Sequence, residues 1–378
     1  MVEAIVRLGT ALPFERVPAL LFFLMGVHVS VETVRRLTEG AGAAQVAVEQ
    51  TAYEQLVRDL PPVPEGPAVQ QISADGAMVP LIHGEWAEVR TLAVGTVQQA
   101  HATDLEYFSR LCSAHDFIDQ VALPLQQQGT ARAGTVVAIM DGADWLQQLV
   151  DAHAPEAVRI SGTRVRVFPH AAEYLSAAAQ ATFGVGTVET SAWLDTWLHE
   201  LKHGHPDMVL AAVRALPAVT SQARAVRDKA ATYLQKRRSQ IAYADFQRQG
   251  YPIGSGAVES ANKLVVEARL KGSGMSTPCR SGNRRHVTPM VALRALLCSG
   301  RWDQAWPLIC EQLRQQVTDR RRQRRAKTRA ASLPIEAAVT EVAPTPHPPR
   351  MVDGRPTEEH PWKQSYDPVR RARDDAKT

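Results

Sequence analysis

Three acidic residues stand in settings that suit oxygen-ligand chemistry. Asp75 lies inside the run from Val69 to Ile82, where apolar residues alternate with small or polar ones, directly before Gly76. That pattern predicts a strand, although Asp-Gly is also the commonest hairpin-turn dipeptide. Asp141 ends the unbroken apolar run Thr135-Val-Val-Ala-Ile-Met140, the signature of a strand buried on both faces. A residue just past such a strand is where sites in open sheets gather; ahead of the helical stretch from Ala143 to Ala152, Asp141 equally suits a helix cap. Glu259 belongs to Tyr251-Pro-Ile-Gly-Ser-Gly-Ala-Val-Glu-Ser-Ala-Asn-Lys263, which reads as a tight loop followed by a helix that Ser255 caps. Lys263, Val266, Glu267 and Leu270 follow Glu259 at helical spacing on or near one face. A carboxylate in a first helical turn also complements the positive end of the helix dipole.

Gathering three carboxylates raises their pKa values unless a cation neutralises them. A pair of Mg²⁺ ions, or Mn²⁺, would do so, and Asp, Asp and Glu supply the hard oxygen ligands these ions require. Two such ions about 3.5 to 4 Å apart promote in-line displacement at phosphorus. A strand Asp, a second Asp after a later buried strand and a distant helical Glu converge when the sheet is of the ribonuclease-H type.

The elements that must position these residues can be read in outline. Val69 to Ile82 and Trp86 to Val97 are predicted as adjacent antiparallel strands, and Asp104 to Gln127 as a helical region. Residues from Ala171 to Gln249 are rich in Ala, Leu and Gln and predict helices. Among them, Arg224 to Arg238 forms a basic amphipathic helix that suits either a solvated face or a DNA-facing one. Upstream, the apolar segment Phe14 to Met25, Gly26, and a second helix from Val31 to Glu39 capped by Ser30 have helix-turn-helix spacing, shared by many helical hairpins that never meet DNA. In a DNA-binding unit, Thr33 and Arg36 would lie near bases and Arg35 near phosphate. Pro61-Pro-Val-Pro-Glu-Gly-Pro67 reads as a linker. Asp303 to Gln316 is the last expected packed helix, and Arg320-Arg-Arg-Gln-Arg-Arg-Ala-Lys-Thr-Arg329 is a cationic block. Its Arg321, Arg322 and Arg324 could displace counterions from a phosphate backbone, or simply be solvated. Beyond Ser332, repeated Pro with mixed charge predicts disorder.

With 378 residues, 45% of them hydrophobic, the chain can bury a large core, and its net charge of +4 is mild. Cys112, Cys279, Cys298 and Cys310 form no CxxC pair, which argues against a zinc module and for a reducing compartment. No apolar run reaches membrane-span length and the start lacks signal-peptide character, so a cytoplasmic protein without membrane contact is expected.

Several blocks together resemble the DDE transposases of bacterial insertion sequences, of the Kra type and Mutator-related: Asp75-Gly-Ala-Met-Val-Pro80, Val137-Ala-Ile-Met-Asp-Gly-Ala-Asp-Trp145, Pro169-His-Ala-Ala-Glu-Tyr-Leu175, Gly254-Ser-Gly-Ala-Val-Glu259, Val291-Ala-Leu-Arg294 and Arg301-Trp-Asp303. The resemblance extends from about residue 10 to residue 315. It implies an α/β, RNase-H-like core carrying a long α-helical insertion, with Asp75, Asp141 and Glu259 as the metal-binding catalytic triad for Mg²⁺ or Mn²⁺. The implied organisation is a helical, helix-turn-helix-like DNA-binding segment (1–60), the first part of the core (68–170), the insertion (171–250), the rest of the core with C-terminal helices (251–316) and a basic, mostly disordered tail (317–378). Lys263 and Arg269 become expected phosphate contacts. The implied activity is binding of terminal inverted repeats, phosphodiester hydrolysis and strand transfer. The implied partners are DNA and further copies of the chain, in the cytoplasm on the nucleoid.

Two stretches depart from the family pattern. His170 is retained as a supporting residue of a D/C-x-x-H element, or as a hydrogen-bonded histidine at a helix start, but Val167 fills the acidic position. In Ser276 to His286 the usual Trp-containing continuation is replaced by an Arg-, Ser- and Gly-rich segment. Compensating frameshifts in a decaying element would account for both. The chain would then be a degenerate transposase that binds DNA without cutting it; a nuclease that cleaves without joining is a further alternative. Family members often carry N-terminal metal-binding cysteines, so the chain is expected to start after such a module, as a fragment.

Overall fold

The computed structural model describes residues 1–81, 84–141, 143–161, 169–271, 284–331, 351–352 and 355–356. Met1–Arg320 form one compact unit and Arg321–Thr378 a second. The first unit begins with three helices, α1 (Val2–Ala11), α2 (Val17–Met25) and α3 (Val31–Asp59). Gly26, at φ 65°, makes the turn after α2, a left-handed conformation that glycine adopts without steric cost. Ser30 caps α3, its Oγ accepting the Thr33 amide at 3.1 Å.

The second helix of the expected helix-turn-helix does not stop near Glu39 but runs on to Asp59. Its inward stripe, Val34, Thr38, Ala41 and Gln45, is buried. This stripe packs against α1 and against α14 (Arg284–Cys298), so tertiary burial sustains the helix through Gly40 and Gly42. At the crossing an added Cβ on Gly42 would lie 2.5 Å from the Pro289 carbonyl oxygen. Glycine alone allows that approach.

Five strands follow: β1 (Val69–Pro80), β2 (Trp86–Gln98), β3 (His101–Arg110), β4 (Thr135–Met140) and β5 (Val158–Ser161). They lie in the order β3-β2-β1-β4-β5, with β1, β2 and β3 antiparallel and both β4 and β5 parallel to β1. The paired strands expected at 69–82 and 86–97 are present. The helical region expected from Asp104 is corrected, because Asp104 lies within β3. A two-residue turn with positive φ at both Gln99 and Ala100 returns the chain to β2. Such turns normally advertise themselves with Asn or Gly, and this one carries neither. Helices resume with α4 (Ala114–Gln120) and α5 (Ala122–Gln127), and α6 (Asp144–His153) connects β4 to β5.

The strand alternation sorts the core. One face presents Ile72, Ala74, Leu92, Val94, Ala138 and Met140 to Phe117, Leu125, Leu146, Leu149 and Val150 of α4, α5 and α6. The opposite face has two covers. Over Val137, Ile139 and Ile160 lie helices α7 (Pro169–Phe183), α8 (Val188–His203), α9 (Pro206–Ala215), α10 (Ser221–Lys236) and α11 (Tyr243–Arg248). Over Ala77, Val79, Ala87, Val89 and Ala93 lie α12 (Gly256–Ala261), a π-helical segment (Asn262–Glu267) and α14. A single turn, α13 (Ala268–Leu270), follows the π segment. The Ala-rich stretch is therefore helical, as expected, and lies over one face of a mixed sheet.

The last helix, α15 (Trp302–Ala331), passes beyond the predicted end at Gln316 and carries the cationic block that was expected in a disordered tail. Residues 317–331 contain neither Gly nor Pro and are rich in Arg and Ala, which are strong helix formers. Met351–Val352 and Arg355–Pro356 form a short antiparallel pair; the remainder expected to be disordered lies outside the described residues. No helix among the described residues is long and apolar enough to cross a membrane.

Candidate functional site

Asp75 sits in mid-strand on β1, opposite Thr91 of β2, and not at a hairpin turn, which lies between Pro80 and Trp86. Its Oδ1 accepts the Gly76 amide at 2.7 Å. Its Oδ2 accepts Nδ2 of Asn262 at 2.9 Å. Thr91 in turn pairs with Ser109 of β3, their buried hydroxyls 3.0 Å apart. On the same face of β1, Ser73 Oγ accepts from Gln71 Nε2 at 2.9 Å, and both residues are buried. A row of polar groups thus crosses an otherwise apolar sheet.

The row extends toward Asp141. β1 and β4 pair in parallel from Val69↔Thr135 to Ser73↔Ile139; continued two residues, that register brings Asp75 level with Asp141. Equivalent positions on parallel neighbours face the same side of a sheet. Asp141 is exposed and its Oδ1 accepts the Ala143 amide at 2.9 Å. The cap residue of α6 is Ala143, so Asp141 precedes the helix and is not itself the cap. From the helical cover, Tyr233 of α10 is close enough to sense this carboxylate. Burial pushes the Tyr233 phenol above its ordinary pKa, and the Asp141 charge adds to the rise.

Glu259 belongs to α12, which rests on Ala93 of β2 through Val258 and Ala261. Ser255 caps this helix by position, without a side-chain bond to its amides; its hydroxyl instead donates to Glu259 Oε1. After Ala261 the helix widens into the π segment, which turns Ala261 and Asn262, and then Val265 and Val266, inward as adjacent buried pairs. The regular helical spacing expected after Glu259 is broken there. Arg294 of α14 donates to the Leu264 carbonyl within the segment. Lys263 is exposed, where a phosphate could reach it. Arg269 is corrected: it is 3% exposed, with its guanidinium 4.5 Å from the Phe14 ring centre, and so belongs to the core between α13 and the N-terminal helices.

Asp75 lies two residues beyond the last β1–β4 pair on β1 and Asp141 directly follows β4, while Glu259 lies one helical turn before the residue that touches Asp75. Their oxygens are the donor chemistry that fits a hard divalent cation. Among the described residues no group of three or more His, Cys, Asp and Glu side chains could hold a metal ion. The side chain of His170, together with Val167 and residues 276–283, falls outside the described residues; His286 has its Nδ1 3.5 Å from Glu39.

Of the expected DNA contacts, Arg36 is exposed, Thr33 hydrogen-bonds the Ser30 cap, and Arg35 is paired with Glu32 at 2.5 Å. Arg321, Arg322 and Arg324 are exposed on α15. The basic helix, α10, buries Ala223, Ala230 and Leu234, and its Arg227 pairs with Asp228 at 2.9 Å.

Sequence reasoning passed over Asn262, Arg294 and Tyr233. A signal existed for the first two, since Asn262 lies three residues after Glu259 and Arg294 ends one of the quoted blocks. Tyr233 carried none. No protein-family model and no curated protein matches the chain.

Proposed function

We propose that the chain is a transposase of the DDE type, with an RNase-H-like core and a helical insertion, that binds the ends of its element and performs metal-dependent phosphodiester hydrolysis and strand transfer. The observation carrying this reading is the parallel β1–β4 ladder, whose register, extended two residues beyond Ser73↔Ile139, leads to Asp75 and Asp141, with the Glu259 helix lying over the same face of the sheet. The strand order, three antiparallel strands flanked by two parallel ones, supports the assignment of the core.

In this reading Asp75, Asp141 and Glu259 would hold Mg²⁺ or Mn²⁺, which would supply Lewis-acid charge stabilisation for displacement at phosphorus. The chain's own residues orient the carboxylates: Gly76 and Asn262 fix Asp75, Ala143 fixes Asp141, and Ser255 fixes Glu259. Lys263, exposed on the π segment after α12, offers a cation to an approaching phosphate. Arg36 and the cationic face of α15 supply further DNA charge contacts, and a multimer holds two ends together.

The test is cleavage of a plasmid carrying the element's ends by purified protein with Mg²⁺ or Mn²⁺, beside Glu259→Gln. Metal-dependent nicking at the end boundaries that is lost in the variant supports the reading. A second reading, a degenerate transposase that binds without cutting, is favoured by Val167 in place of the family's acidic residue. Binding of the ends with no cleavage by either protein would select it.

A further inference from the structure

We infer that Asn262 is the positioning residue of Asp75, setting the strand carboxylate against the helix that carries Glu259; this rests on the carboxylate site proposed above. Asn262 is 7% exposed, and Nδ2 reaches Asp75 Oδ2 at 2.9 Å across 187 residues of sequence. Its Oδ1 is enclosed and has no hydrogen-bond partner. A buried amide with half its bonding capacity unmet is a poor way to stabilise a core. An apolar side chain of similar size would serve folding better, so the donor has a use that packing does not supply.

The local backbone points the same way. Asn262 opens a π-helical segment, a rare geometry that recurs at functional sites. In this segment Asn262 faces inward beside Ala261, and the Leu264 carbonyl accepts a bond from the Arg294 guanidinium. Asn262 follows Glu259 by three residues, so the two side chains lie about one turn apart on neighbouring parts of one helical face. One hydrogen bond therefore ties the rotamer of Asp75 to the placement of Glu259. With Oδ1 accepting from Gly76 and Oδ2 from Asn262, both oxygens of the Asp75 carboxylate are oriented by bonds to the chain. Partners of this kind orient ligating carboxylates in metal sites.

The experiment measures Mn²⁺ affinity of the full chain by the loss of the free-ion electron paramagnetic resonance signal, in the native protein, Asn262→Leu, Asn262→Gln and Asp75→Asn, with thermal unfolding followed in parallel. Asn262→Leu fills the same space without a donor, and a fall in Mn²⁺ affinity of about 10- to 100-fold is expected with a cooperative melt retained. Asn262→Gln, which keeps the amide, should recover part of the loss. Should Asn262→Leu not fold, Asn262→Ser, whose hydroxyl is too short to reach Asp75, is measured in its place. Native Mn²⁺ affinity in a folded variant lacking the donor overturns the positioning role. Native affinity in Asp75→Asn would instead remove the carboxylate site itself, which is a distinguishable result.

Discussion

The guanidinium of Arg294 donates through Nη2 to the backbone carbonyl of Leu264, so a side chain on α14 supports the π segment that begins three residues after Glu259. Arg294 is 8% exposed and reaches back 30 residues to do so. The Cys298 thiol lies 3.9 Å from the same carbonyl. Helix α14 is thus a brace for the segment that presents Asn262.

Replacing Arg294 with Met should retain much of the side-chain volume but leave the Leu264 carbonyl short of its charged donor. Loss of a buried partner costs about 1–3 kcal/mol, which urea unfolding would measure. Hydrogen exchange should quicken at amides from 262 to 268 before it does elsewhere. Uniform exchange across α12 and the sheet would argue that Arg294 supports only the global fold.

Asp141→Asn is expected to abolish metal-dependent nicking while DNA binding and stability hold. The Asn carbonyl oxygen can still accept the Ala143 amide that Asp141 Oδ1 now accepts at 2.9 Å, and α6 does not depend on it as a cap. Stability should change by less than about 0.5 kcal/mol. A variant that fails to fold would return Asp141 to a structural role.

Alkaline pH should weaken the fold through buried tyrosines. The Tyr243 hydroxyl donates to the Ser161 carbonyl at 2.8 Å, and burial pushes its pKa up, as it does for Tyr233. Above about pH 10 the unfolded chain loses phenolic protons that the folded chain retains, so stability falls as pH rises and is fully present below that range. Tyr243→Phe should cost about 1–3 kcal/mol at neutral pH, because the buried carbonyl loses its partner. It should also flatten the alkaline decline in unfolding free energy measured between about pH 8 and pH 11.

Two sets of arginines should separate stability from DNA contact. Arg269→Gln removes a cation held over Phe14, a contact worth about 0.5–2 kcal/mol, and should lower the melting temperature. Joint replacement of Arg321, Arg322 and Arg324 with Gln should leave melting of Met1–Arg320 unchanged. If all three meet phosphate, it should reduce the salt slope of DNA binding by about 2.7, at about 0.9 per contact. An unchanged slope would place those arginines in solvent.

Gly42→Ala should destabilise the protein despite alanine's better helix propensity. The new methyl would meet the Pro289 backbone at the crossing of α3 and α14, and overpacking of this kind costs about 1–3 kcal/mol. Denaturation with urea is the check, and a neutral or stabilising result would mean that the two helices can move apart freely.

Much of the sheet was legible because its evidence is local. Period-two alternation marks β1 and β2, and the unbroken apolar run marks β4 with Asp141 at its end. The loop-then-helix pattern around Glu259 is equally direct. What misled the reading was also local: β3 follows a turn made by Gln99 and Ala100, and α3 crosses two glycines. Composition cannot show that packing against α14 outweighs the glycine cost.

By itself the sequence determined which residues offer chemistry: three carboxylates at the ends or middles of recognisable elements, and a cationic block near the C-terminus. Only the tertiary structure decided which of them share a face. Parallel pairing of β1 with β4 carries the chain toward Asp75 and Asp141 at the same end of the sheet, a bond between side chains 187 residues apart joins Asp75 to Asn262, and burial over Phe14 withdraws Arg269 from solvent. Helical and strand periods fix the direction of a side chain within its own element. Which element lies opposite depends on non-local packing, which no spacing along the chain encodes.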